Sequence, residues 1–88
     1  MPPRNVRMWA LSTCAWCKKT KRFLEEHQVP YSCTDVDLLP PEEKQAARDE
    51  LSRFNPKRSY PTVLIDDQEV IRGYDVERLS SLLGLRGH

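Results

Sequence analysis

Long apolar runs, an excess of charge of one sign and a cysteine-rich framework are all missing from this sequence, and each absence excludes a class of protein. The apolar stretches are only a few residues long and the mean hydropathy is −0.67, so no segment reads as a membrane span. Nothing after Met1 has the basic-then-apolar pattern of a signal peptide, and the chain is therefore expected to be cytoplasmic, with no membrane partner. Fourteen Lys and Arg stand against thirteen Asp and Glu, a formal charge of +1. That balance creates no field for holding a polyanion, and nucleic acid is not an expected partner. Three cysteines, at positions 14, 17 and 33, are too few and too odd in number for a secreted disulfide scaffold. Two of them form a C-x-x-C, a usage that fits a reducing compartment where thiols do chemistry. Internal repeats, low-complexity tracts and long linkers are also absent. Eighty-eight residues carry too little apolar surface for two cores, so the expectation is one domain over residues 1–88, acting as a monomer.

What is present reads as a compact alternation of strands and helices. Asn5 to Leu11 is apolar and β-compatible and ends at Ser12 and Thr13, either of which can cap a helix that starts near Cys14. From Ala15 to about His27, Cys17, Thr20 or Phe23, and Leu24 recur at helical spacing among charged residues. Val29-Pro30 breaks that helix and Tyr31 to Val36 reads as a second strand, parallel to the first by the crossover rule. Pro40, Pro41, Glu42 and Glu43 form a helix start, with Ala47, Leu51 and Phe54 as its inward stripe and Asn55-Pro56 as its stop. Thr62 to Ile65, an Asp66-Asp67 turn and Glu69 to Arg72 read as a β-hairpin. Asp75 caps a last helix that buries Val76, Leu79, Leu82 and Leu83 and ends at Gly84. The predicted order is β-α-β-α-β-β-α: an α/β fold with a four-stranded mixed sheet and three helices.

The chemistry sits at Cys14 and Cys17. A thiolate, not a thiol, attacks a disulfide, and a sulfur at the first turn of a helix faces unpaired backbone N–H groups and the positive end of the helix dipole. Lys18 and Lys19 add positive charge one turn on. Cys17 lies on the same helix face, one turn deeper, where it can break a mixed disulfide formed at Cys14. A zinc site is the competing use of a C-x-x-C, but Cys33, His27 and His88 are the only other plausible ligands and no second C-x-x-C or H-x-x-x-H pair exists. No metal is expected. Cys33, within a predicted strand and with no basic neighbour, reads as a structural cysteine. Trp9 is expected to pack against a helix, and Trp16, between the two cysteines, to be at least partly exposed.

C-A-W-C after a strand, then Y-S-C-T-D-V-D, S-Y-P-T-V-L-I-D and R-G-Y-D before the last helix make the chain resemble glutaredoxins over nearly its whole length. The resemblance implies the thioredoxin fold, with Cys14 as nucleophile and Cys17 as resolving thiol in the reduction of protein disulfides or glutathione mixed disulfides. It also implies that Pro61 is a cis proline facing the active cysteine, so that the backbone of Tyr60 pairs with an incoming peptide or glutathione. Lys57 and Arg58 match the family's site for one glutathione carboxylate. Gly73, Tyr74 and Asp75 match the site for the other, and Trp16 completes the set of substrate-facing residues. No cofactor is expected to be bound; glutathione is the implied co-substrate and disulfide-containing proteins the implied partners. The departures are specific: the proline of the family's C-P-Y-C is gone, Leu11 stands where a lysine is usual, Arg72 precedes Gly73 where two glycines are common, and Tyr60 replaces a smaller β-branched residue. Two alternatives follow from the same resemblance, a redoxin recharged by thioredoxin reductase and a glutathione-dependent iron–sulfur cluster carrier.

Overall fold

A computed structural model describes residues 5–57 and 59–85. Its elements run β1 (Val6–Ala10), α1 (Ala15–Glu26), β2 (Ser32–Asp35), a single 3-10 turn (Val36–Leu38), α2 (Pro41–Phe54), β3 (Thr62–Ile65), β4 (Glu69–Arg72) and α3 (Val76–Leu83). The strands form one mixed sheet in the order β2-β1-β3-β4, with β1 and β2 parallel and the other two pairs antiparallel. This is the predicted β-α-β-α-β-β-α order, and it is the thioredoxin fold.

Local chemistry sets the element boundaries. Pro40 caps α2 and Pro41 occupies its first turn, where a missing N–H costs nothing, and Glu42 and Glu43 face the positive end of the dipole. Asp66 and Asp67 both take left-handed backbone, at φ 54° and 56°, and so close the hairpin with the twist its strands need. The Asp66 carboxylate also accepts the Asn5 N–H at 2.9 Å, which ties the turn to the start of β1. At the far end, Asp75 accepts the Arg78 N–H at 3.1 Å, and Gly84, at φ 67°, stops α3.

Helices cover both faces of the sheet. On one side Val6, Met8, Ala10, Val63, Ile65 and Ile71 meet Cys17, Phe23 and Leu24 of α1 and Leu79 of α3. On the other, Trp9, Val36 and Leu64 meet Leu51 of α2, with Phe54 and Ala47 packed at the edge. The alternation along β1 thus sorts Val6, Met8 and Ala10 from Trp9, as period-2 geometry requires. Every residue of β3 is buried, because this central strand is covered on both faces. Trp9 packs on Phe54 of α2, with ring centroids 6.0 Å apart, as expected of it. Arg7 lies 4.9 Å above the Trp9 ring and reaches Glu50 of α2 at 2.7 Å, on the same face of the sheet as that second core.

Candidate active site

Cys14 is itself the N-cap of α1. Its backbone is extended (φ −83°, ψ 118°), and its Sγ accepts the Cys17 N–H at 3.1 Å. This corrects the expectation that Ser12 or Thr13 caps the helix. Ser12 is occupied elsewhere: its N–H and its hydroxyl donate to the two Asp37 carboxylate oxygens, at 2.9 and 2.5 Å. These bonds hold the Asp37 carboxyl below the usual carboxylate range and pin the loop before the cysteine to the 3-10 turn after β2. With no hydroxyl in competition, the Cys17 N–H in the first turn of α1 is left to the sulfur.

The second thiol is in the opposite situation. Cys17 is 0% exposed, packed in the core under α1. Burial, reinforced by its hydrogen bond with the Cys14 thiol, pushes its pKa from 9.0 up to about 12. One sulfur is thus half-exposed at a helix N-terminus and the other is sealed, neutral, one turn below. The shift carries a sign for stability. Above pH 9.0 the unfolded chain ionises this thiol while the folded chain keeps it protonated until about pH 12, so folding stability falls as pH rises through that window. Chemical denaturation of the reduced protein is expected to show wild type losing stability relative to Cys17→Ser by about 1.4 kcal/mol per pH unit above the lower limit. A pH-independent difference between the two would contradict the assignment.

The Tyr60–Pro61 peptide bond is cis, as the resemblance implies. Trp16, Tyr60, Pro61, Gly73 and Tyr74 line a groove of about 230 Å³. Trp16 is 55% exposed, and its ring stands 5.7 Å from that of Tyr74, so the two form an aromatic wall. Gly73 adopts φ +79° and donates its N–H to the Pro61 carbonyl at 2.7 Å, fixing the hairpin end against the proline. A Cβ at Gly73 would meet nothing within 4 Å, so the backbone conformation, not crowding, demands glycine here. Among the described residues no backbone hydrogen bond engages the Tyr60 N–H or C=O.

The charged candidates fall differently. Asp75 spends a carboxylate oxygen capping α3 and is not part of the groove lining. Lys57 lies exposed in the turn after α2, donating its N–H to Asn55 Oδ1 at 3.3 Å, also outside that lining. Arg58 lies outside the described residues. The Lys19 ammonium turns to the Trp16 ring, 4.7 Å from its centroid.

Two features escape sequence reasoning. Asn55, readable only as a helix stop, is fully buried and holds the segment leading to Pro61. Its side-chain amide donates to Ser59 Oγ at 2.9 Å and Thr62 Oγ1 at 3.0 Å. Cys33 does have a basic neighbour, contrary to its sequence reading. Lys21 of α1 reaches over β2 beside it and binds Asp35 at 3.0 Å. Burial still raises the Cys33 thiol, with Lys21 opposing the rise. For Lys21, burial works against the charge, but the Asp35 hydrogen bond and the surrounding acidic groups hold its pKa above the ordinary value. Among the described residues no cluster of three or more His, Cys, Asp or Glu is placed to hold a metal ion, and no helix is long and apolar enough to cross a membrane.

Comparison with known proteins adds the following. The family model described as Glutaredoxin matches residues 6–70. The crystal structure of a methanoredoxin from Methanosarcina acetivorans is 42% identical, covers 92% of this chain and 85% of its own, and superposes with a TM-score of 0.89. A glutaredoxin from Archaeoglobus fulgidus is 32% identical over 94% of this chain and 87% of its own, with a TM-score of 0.84. A glutaredoxin-like 8.6 kDa protein from the rubredoxin operon of Clostridium pasteurianum is 24% identical over 89% of this chain and 96% of its own.

Proposed function

The chain belongs to the glutaredoxin family, and from that premise we propose that it reduces protein disulfides or glutathione mixed disulfides by exchange at Cys14. The observation that carries this reading is the asymmetry of the two sulfurs: Cys14 Sγ caps a helix beside an open groove, while Cys17 is buried below it. In the first step the Cys14 thiolate attacks one sulfur of the substrate disulfide. A Cys14–substrate S–S bond forms, the substrate S–S bond breaks, and the departing thiolate takes a proton from water. In the second step Cys17 gives its proton to water and attacks Cys14 Sγ. The Cys14–Cys17 disulfide forms and the second substrate thiol leaves, so two electrons have passed to the substrate. Cys17 is buried and held protonated by that burial, so the half-exposed sulfur of Cys14 meets the substrate first and the two steps run in order.

The oxidised pair must then be reduced. In the leading reading two glutathione molecules supply the electrons, with Tyr60 backbone, Gly73 and Tyr74 presenting the groove to the tripeptide. A second reading, recharging by a thioredoxin reductase, is favoured by one observation: among the described residues the groove lining contains no charged side chain to meet glutathione's carboxylates. NADPH consumption with a small mixed-disulfide substrate separates them, run with glutathione plus glutathione reductase and, in parallel, with thioredoxin reductase. Turnover with glutathione is the result expected of the leading reading. Turnover only with thioredoxin reductase supports the second, and no turnover in either overturns the assignment as an exchange enzyme.

A further inference from the structure

Next to the aromatic groove a second hollow, of about 250 Å³, is lined by Lys19, Arg22, Phe23, Glu26 and Tyr74. The two hollows share Tyr74, so a single ring divides the groove at Cys14 from the outer face of α1. The charges on that face are unevenly spent. Lys21 is bound to Asp35 and Glu25 accepts the Tyr31 hydroxyl at 2.7 Å. Lys18, Lys19 and Arg22 are exposed and form no ion pair among the described residues. Against them stands the Glu26 carboxylate, one turn beyond Arg22. The Lys19 ammonium, over Trp16, carries positive charge to the lip of the groove itself. A chain crossing Tyr74 from the catalytic groove thus passes from a neutral aromatic wall to a net cationic hollow.

We propose that this hollow on α1 docks carboxylate-bearing residues that flank the target cysteine of a protein substrate. The inference rests on the exchange activity proposed above and names its substrate class: disulfides set in acidic segments. Complementary charge at the edge of a reactive site acts mainly on the rate of encounter and fades as salt screens it. The phenyl floor of Phe23 and the Tyr74 ring give the stems of Asp and Glu an apolar surface, while Lys19 and Arg22 meet their heads.

The test uses three cysteine peptides of equal length, each activated as its 2-pyridyl disulfide, with Glu and Asp, Gln and Asn, or Lys and Arg around the cysteine. Attack by Cys14 releases thiopyridone, whose absorbance gives a second-order rate. At low ionic strength the acidic peptide is expected to react roughly tenfold faster than the neutral one, and the basic peptide slower. The gap should close in high salt. Arg22→Glu is expected to abolish or reverse the order, and Glu26→Gln to widen it, with the neutral-peptide rate unchanged in both. Equal rates for the three peptides, or an acidic preference that neither substitution alters, would overturn the docking surface while leaving exchange at Cys14 intact. No reaction with any peptide would instead overturn the exchange activity on which it rests.

Discussion

Cys14→Ser is expected to lower the rate of disulfide reduction by on the order of 10³-fold or more, whichever reductant is supplied. A serine hydroxyl is a far weaker acid and nucleophile than a thiol, so the Cys17 N–H that now serves the sulfur would face a neutral, unreactive oxygen. The effect should come without loss of fold. Cys14 is only partly buried, and serine is itself a preferred N-cap that accepts the same Cys17 N–H. Steady-state turnover together with unfolding of the same variant separates the two. A stable but inactive Cys14→Ser is the predicted result; a variant that retains a tenth of the wild-type rate would move the nucleophile elsewhere.

Leu64→Ala is expected to cost about 2–5 kcal/mol, within reach of the whole stability of a small domain at about 5–15 kcal/mol. Leu64 is 0% exposed on the central strand, pointing away from the catalytic helix into the core formed with Trp9, Val36 and Leu51. That core is small, so its neighbours have little freedom to close over a lost side chain. Urea unfolding of the reduced protein should show the midpoint shifted with little change in slope. A shift worth less than about 1 kcal/mol would mean that the α2 side of the sheet collapses to fill the space.

Whether a feature is legible in the sequence follows from the distance over which it is encoded. The hairpin over Thr62–Ile65 and Glu69–Arg72 coincides with its reading because Asp66-Asp67 and the flanking β-branched residues are all local. The same holds for α2 behind its two prolines and for α3 between Asp75 and Gly84. The C-x-x-C declares its own spacing, and the thiols fall where that spacing on a helix places them. Contacts between elements are hidden. The hydroxyl of Ser12 looks like a helix cap until Asp37, 25 residues away, is seen to claim it. Cys33 has no basic neighbour along the chain because its neighbour, Lys21, arrives from another element. Leu64 and Ile71 are buried on opposite faces of the sheet, Leu64 against α2 and Ile71 against α1 and α3, a sorting set by which helix crosses each face. Lys57 matches a motif position, yet it is not among the residues that line the groove.

In this mechanism Cys14 bonds to substrate first and Cys17 breaks that bond. Mass spectrometry of Cys17→Ser mixed with an oxidised cysteine peptide tests it most directly. The account predicts a stable one-to-one adduct, released by a reducing agent and mapped by digestion to Cys14 alone. An adduct at Cys33, or none at all while the wild-type protein reduces the peptide, would contradict it.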